Sequence, residues 1–226
     1  MKKINSLKVL KKNRYLIACI FTLVMIICGG LLIGKNLHEF SHIEVKNTAK
    51  ITATVVADYI KNGLAETNQI AEELGNSRHI INILGPESYK YLNDANETLD
   101  RYSLRESLAC YVINLEGLTI ASSNRNSSKS FVNKNYGFRP YFKEAVKGKK
   151  ASYFALEVTS GERGYYSSVP VKDSTGKVIG AAVVKKTLDI DEQYLKKFEE
   201  YFFVNEDGII FLSSDPKYLF QSFYPL

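Results

Sequence analysis

Tyr15 to Gly34 (YLIACIFTLVMIICGGLLIG) runs for 20 residues without a single charge. As an α-helix it rises about 30 Å, the thickness of a bilayer core. A stretch this long and this apolar ties the chain to a membrane. Lys2, Lys3, Lys8, Lys11, Lys12 and Arg14 precede it with no acid among them. The bias of Lys and Arg to the cytoplasmic side predicts a cytoplasmic tail over residues 1–14, a transmembrane helix over 15–34, and an extracytoplasmic remainder. A cleaved signal peptide would have an apolar core of roughly 7–15 residues followed by an A-x-A-like site. Gly34-Lys35-Asn36-Leu37-His38 offers no such site, so an uncleaved anchor in the plasma (inner) membrane is expected. Gly30 and Gly34 have the small-xxx-small spacing that lets two membrane helices pack closely.

The formal net charge is +6, from 30 basic and 24 acidic residues. Removing the six basic residues of the tail leaves 24 of each sign. The basicity is therefore local, which argues against a nucleic-acid partner. Of three cysteines, Cys19 and Cys28 lie in the apolar run and Cys110 outside it. One exported thiol forms no intrachain disulfide, so the fold must rest on its core.

From Lys35 to about Leu74 there is no Pro and the only Gly is Gly63. Ile51, Val55, Ile60, Leu64, Ile70 and Leu74 recur near helical spacing, which predicts one long amphipathic helix over 35–75. Its predicted roles are a structural spine and a homodimer contact. Residues 76–100 are polar and mixed, with a turn at Gly85-Pro86, and a second helical stretch is expected through Tyr102 to Leu108. Ala109 to Asn114 and Leu118 to Ser122 read as strands joined by the turn Asn114-Leu115-Glu116-Gly117. Pro140 fits the first turn of a helix that runs to about Lys147 and stops at Gly148. Strands are predicted over 151–158, 164–171 and 177–188, then a short helix over 189–197. A last hairpin spans Tyr201 to Ser213 around Glu206-Asp207-Gly208. Antiparallel strands with helices packed on them make an α+β fold. The two hairpins echo each other (VINLEGLTIASS and FVNEDGIIFLSS), which suggests two related sheet modules in tandem, over 76–189 and 190–226.

Ala121-Ser122-Ser123-Asn124, Ser130-Phe131-Val132 and Tyr136-Gly137-Phe138-Arg139-Pro140-Tyr141-Phe142 occur in an order that resembles double Cache (PAS-like) sensor domains. Thr159-Ser160-Gly161, Gly164-Tyr165-Tyr166, Pro170-Val171 and the strand GAAVVKKTLD narrow the resemblance to C4-dicarboxylate sensor histidine kinases of the DctB-like group. It covers about Tyr111 to the C-terminus. The resemblance implies a membrane-anchored sensor that binds a small organic acid, a C4-dicarboxylate, as the input of a two-component system. Such kinases continue to a second membrane helix, a phosphotransfer helix and an ATP-binding domain. This sequence carries none of them, so the input function alone is implied. The input of a methyl-accepting chemoreceptor or cyclic-dinucleotide synthase, with an amino-acid ligand, is the alternative.

A dicarboxylate needs two clusters of donors or positive charge. Arg139, just before a helix start, offers a planar fork that fits a carboxylate. Lys185 lies in an apolar strand on the face of Val183 and Ala181. A lysine on an inner face calls for an anion, whereas Lys186 next to it should point outward. Tyr141, Thr159 and Ser160 are candidate hydroxyl or backbone donors. Tyr153, Tyr165 and Ser167 are candidate lining residues of lower rank. Arg163, in a polar turn, is expected to be solvated. Amino-acid-binding Cache domains hold the ligand amine with an Asp. The 151–159 stretch has Glu157 but no Asp, which tilts the reading away from an amine-bearing ligand. His38 and His42 stand four apart without a third metal ligand nearby, and no nucleophile–base set or phosphate loop occurs. No catalytic role, metal or cofactor is expected.

Overall fold

The computed structural model describes residues 2–104, 108–156, 163–188, 195–196, 198, 200–205 and 207–224. The chain forms two compact units, Met1–Ala57 and Asp58–Leu226. Helix α1 is Lys2–Gly75. It includes the uncharged run, and among the described residues it is the one helix long and apolar enough to cross a bilayer. Phe21, Ile26 and Leu31 are exposed on it.

The second unit begins with the last turns of α1 and continues through α2 (Arg78–Ile83), a 3-10 turn (Ser88–Tyr91) and α3 (Leu92–Ser103). The segment read as a polar stretch with one turn is thus mostly helical. The helix expected through Tyr102 to Leu108 lies earlier, at α3, and Leu108 already starts a strand. A sheet follows, of β1 (Leu108–Asn114), β2 (Thr119–Ser122), β3 (Ala151–Leu156), β4 (Arg163–Lys172) and β5 (Val178–Thr187). All pairs are antiparallel, in the order β2-β1-β5-β4-β3. Helix α4 (Pro140–Val146) lies between β2 and β3 in sequence, and β6 (Phe202–Val204) and β7 (Ile210–Ser213) form a separate two-stranded ribbon. The short helix expected over 189–197 falls almost wholly outside the described residues.

The sheet is buried on both faces, and strand alternation assigns each residue to one of them. On one face Cys110, Val112, Val169, Ala182 and Val184 pack against Ile70, Leu74, Ile80 and Leu99 of α1, α2 and α3. Burial there pushes the Cys110 thiol up to about 12, so it is an inert core residue. On the other face Tyr111, Ile113, Tyr166, Ala181 and Val183 meet Phe131, Tyr136 and, from α4, Tyr141, Phe142 and Ala145.

The two hairpins share one pattern of bonds. In the first, Gly117 N–H donates to Asn114 C=O (3.0 Å) and Leu118 N–H to Asn114 Oδ1 (2.9 Å). In the second, Gly208 N–H donates to Asn205 C=O (3.0 Å) and Ile209 N–H to Asn205 Oδ1 (2.8 Å). Each turn then receives a returning segment at its glycine: Tyr136 N–H donates to Gly117 C=O and Phe223 N–H to Gly208 C=O, both at 2.7 Å. Gly117 has φ +81° and Gly208 φ +77°. A Cβ on Gly117 would come within 2.6 Å of the Gly137 backbone, so both conformation and space demand glycine there.

Candidate ligand-binding site

Helix α4 begins the site. Arg139 is its N-cap residue in extended conformation (φ −69°, ψ 135°), and Pro140 occupies the first helical position, where its missing N–H removes no helical bond. This turn lays Arg139 and Tyr141 on the sheet face opposite α1. Arg139 is 8% exposed. Its guanidinium carbon lies 5.9 Å from the ring centre of Tyr166 and 5.2 Å from that of Phe138.

The sheet supplies the second cation. Lys185 is 3% exposed, and the β4–β5 register sets it directly opposite Tyr166. Its ammonium nitrogen lies 5.6 Å from the ring centre of Phe131. Aromatic contacts join the two cations' surroundings. Tyr141 stacks on Tyr166 (5.3 Å, 6° between planes), and its hydroxyl is 3.0 Å from that of Tyr111. The Tyr111 ring meets Phe131 edge-on at 5.0 Å. Burial and the neighbouring Tyr141 and Tyr166 hold the Tyr111 hydroxyl well above the ordinary tyrosine range, so it is a neutral hydrogen-bonding group. Two positive charges set in one buried aromatic cluster create a local potential that favours a small anion, and both side chains can donate charge-assisted hydrogen bonds to one.

Tyr153 pairs with Tyr166 across β3 and β4 and so shares the face of Lys185, at 38% exposure. Thr159 and Ser160, together with Glu157, lie outside the described residues. Tyr165 and Ser167 do not join the cluster. Strand alternation turns them to the α1 face, where the Tyr165 hydroxyl donates to Asn68 Oδ1 (3.0 Å) and Ser167 pairs with Val184. Lys186, expected outward, also faces α1, where its Cε would stand 3.4 Å from a Cβ placed on Gly63. Arg163, expected in solvent, opens β4 and donates from Nη1 to the Phe211 carbonyl of β7 (3.0 Å). Sequence reasoning missed Tyr166, Tyr111 and Phe131 as partners of the two cations. Tyr166 was recoverable only through its pairing with Lys185, and Phe131 carries no local signal. The rings of His38 and His42 are 5.2 Å apart, and no group of three His, Cys, Asp or Glu able to hold a metal occurs among the described residues.

The fold of this unit recurs in solved structures. The chain is similar to the sensor domain of the V. cholerae histidine kinase DctB, with a TM-score of 0.69 and 31% identity, covering 80% of this chain and 70% of that one. The chain belongs to the DctB sensor-domain family. Two further DctB relatives agree. The C4-dicarboxylate transport sensor protein DctB of Pseudomonas aeruginosa is 35% identical over 134 residues, 58% of this chain, and that of Rhizobium meliloti is 24% identical over 206 residues, 90% of this chain. The chain spans 22% and 33% of the length of these two DctB proteins. The ligand-binding domain of the P. aeruginosa amino-acid chemoreceptor PctC, solved with GABA, shares the fold at a TM-score of 0.57 and 16% identity. No family model matches the chain. The DctB-like sensor domain here therefore has an N-terminal apolar helix and an antiparallel sheet with helices on it.

Proposed function

We propose that this sensor domain binds a C4-dicarboxylate on the outer side of the cytoplasmic membrane. Arg139 and Lys185 would each take one carboxylate. Tyr141 and Tyr153 would border the ligand, and Thr159 and Ser160 would add donors from the turn before β4. The observation that carries the reading is the common cluster of the two cations. Both are buried on one sheet face, and the Tyr166 ring is at once the cross-strand partner of Lys185 and the neighbour of Arg139. The basic tail before the apolar run supports a cytoplasmic N-terminus. Residues 76–189 form the membrane-distal binding module in this reading, and the repeated turn bonds of the second hairpin support a related module beginning in 190–226. Exposed Leu37, Phe40, Ile43, Ile51 and Val55 on α1 support a homodimer through that helix. A bound acid would shift the population between two arrangements of the domain, for a kinase output.

The test is calorimetric titration of the whole chain in lipid nanodiscs with succinate, fumarate, malate and a panel of amino acids. Uptake of dicarboxylates in preference to amino acids is expected. Heat from the amino acids alone, or from no acid in a folded sample, would remove the dicarboxylate reading.

A further inference from the structure

The site face holds a buried hydroxyl that the packing does not account for. Ser168, in β4, is 0% exposed, and its Oγ has no hydrogen-bond partner among the described residues. Its cross-strand neighbours are Ala151 and Val183, both apolar. A serine hydroxyl in such a place destabilises the fold, because it leaves water and gains no bond. Alanine would fill the position without that penalty. Buried polar groups left unsatisfied call for an explanation, and the location of this one suggests it. Ser168 stands two residues beyond Tyr166 on the same face. It is also the diagonal neighbour of Lys185, since Ser168 pairs with Val183. Diagonal neighbours in an antiparallel pair stand roughly 7–8 Å apart, a separation that one small acid held by Lys185 can bridge.

We propose that Ser168 is a ligand-contacting residue whose hydroxyl donates a hydrogen bond to a carboxylate oxygen of the bound acid. The bond satisfies in the complex a group left unsatisfied without ligand. This inference rests on the reading of Arg139 and Lys185 as an anion site. It adds a donor on the sheet floor beside Lys185, at the position next to the Ser167 read from the sequence. It also explains why a position flanked by alanine and valine carries a hydroxyl.

A purely structural serine and a ligand donor respond differently to Ser168→Ala. Thr119 provides the control. Its Oγ1 is likewise buried without a partner among the described residues, but on the edge strand β2, opposite Ile113, whose β5 partner Ala181 is four residues from Lys185. Thermal unfolding without ligand and calorimetric titration with succinate would be run on the whole chain, the Ser168→Ala variant and the Thr119→Val variant. Both variants should melt at or above the wild-type temperature. Ser168→Ala should bind succinate about tenfold more weakly, the loss expected for one charge-assisted bond, while Thr119→Val binds as wild type does. If Ser168→Ala binds succinate as tightly as wild type, the donor role is overturned while the anion site stands. If folded wild-type protein takes up no acid at all, the anion site falls and this inference falls with it.

Discussion

On the α1 face of the sheet, Cys110, Val112, Val169, Ala182 and Val184 interlock with Ile70, Leu74 and Leu99 in an apolar cluster. One residue along the same strands, on the opposite face, stand Tyr111, Tyr166 and Lys185, covered by Tyr141 and flanked by Arg139. The neighbours Tyr165 and Tyr166, Ser167 and Ser168, Lys185 and Lys186 fall one to each face. The chemistry of a position here follows its parity in the strand, not its residue type. Tyr165 ties the sheet to Asn68 of α1, while Tyr166 carries the cation cluster. One face secures the fold and the other is free to specialise.

Substitutions on each face should break stability or binding, but not both. The largest stability effect is expected from Leu74→Ala, which empties a fully buried position on the α1 face. Chemical denaturation should show a loss of about 2–5 kcal/mol, while the protein that remains folded binds its acid with unchanged affinity. Arg139→Ala should do the reverse. Affinity for succinate should fall at least about a hundredfold, or roughly 2.7 kcal/mol, with the unfolding midpoint close to wild type. A smaller effect concerns the tie between α3 and the loop after β2, where Arg125 grips Asp100 through two bonds of 2.6 Å. The hydrogen bond from Arg125 holds the Asp100 carboxyl below its ordinary 3.8. A depressed carboxylate stabilises the fold above its unfolded value and loses that contribution as pH falls through its folded value. Asp100→Asn should therefore flatten the stability slope below about pH 4, by no more than about 1 kcal/mol for so exposed a pair. Ligand affinity at neutral pH should not change.

Much of the fold is legible in the sequence, and the misses have physical causes. Asn-x-x-Gly turns, Pro140 before an apolar i, i+3, i+4 face, and the proline-free run to Leu74 each leave a strong local signal. Lys185 stood out because it interrupts an apolar strand. Parity within Gly164-Tyr165-Tyr166-Ser167-Ser168 was not readable, since both faces of β4 are buried and the run has no polar–apolar alternation to set its phase. Only the register with β5 does so, by placing Tyr166 opposite Lys185. The short helix α2 and the 3-10 turn after it escaped because fragments of four to six residues carry too few periods to detect. Arg163 reads as solvated because it sits in a polar turn, and its partner, the Phe211 carbonyl, lies 48 residues away in a different ribbon, beyond any local signal.

Lys185 and Lys186 carry the same charge at adjacent positions of one strand, which makes them the sharpest probe of the two faces. Succinate titrations of Lys185→Ala and Lys186→Ala, each alongside wild type and with folding checked by circular dichroism, isolate parity from charge. Binding should be lost in Lys185→Ala and retained within about twofold in Lys186→Ala. Equal affinity in the two variants, whether both lose the acid or both keep it, would contradict a binding face built on Arg139 and Lys185.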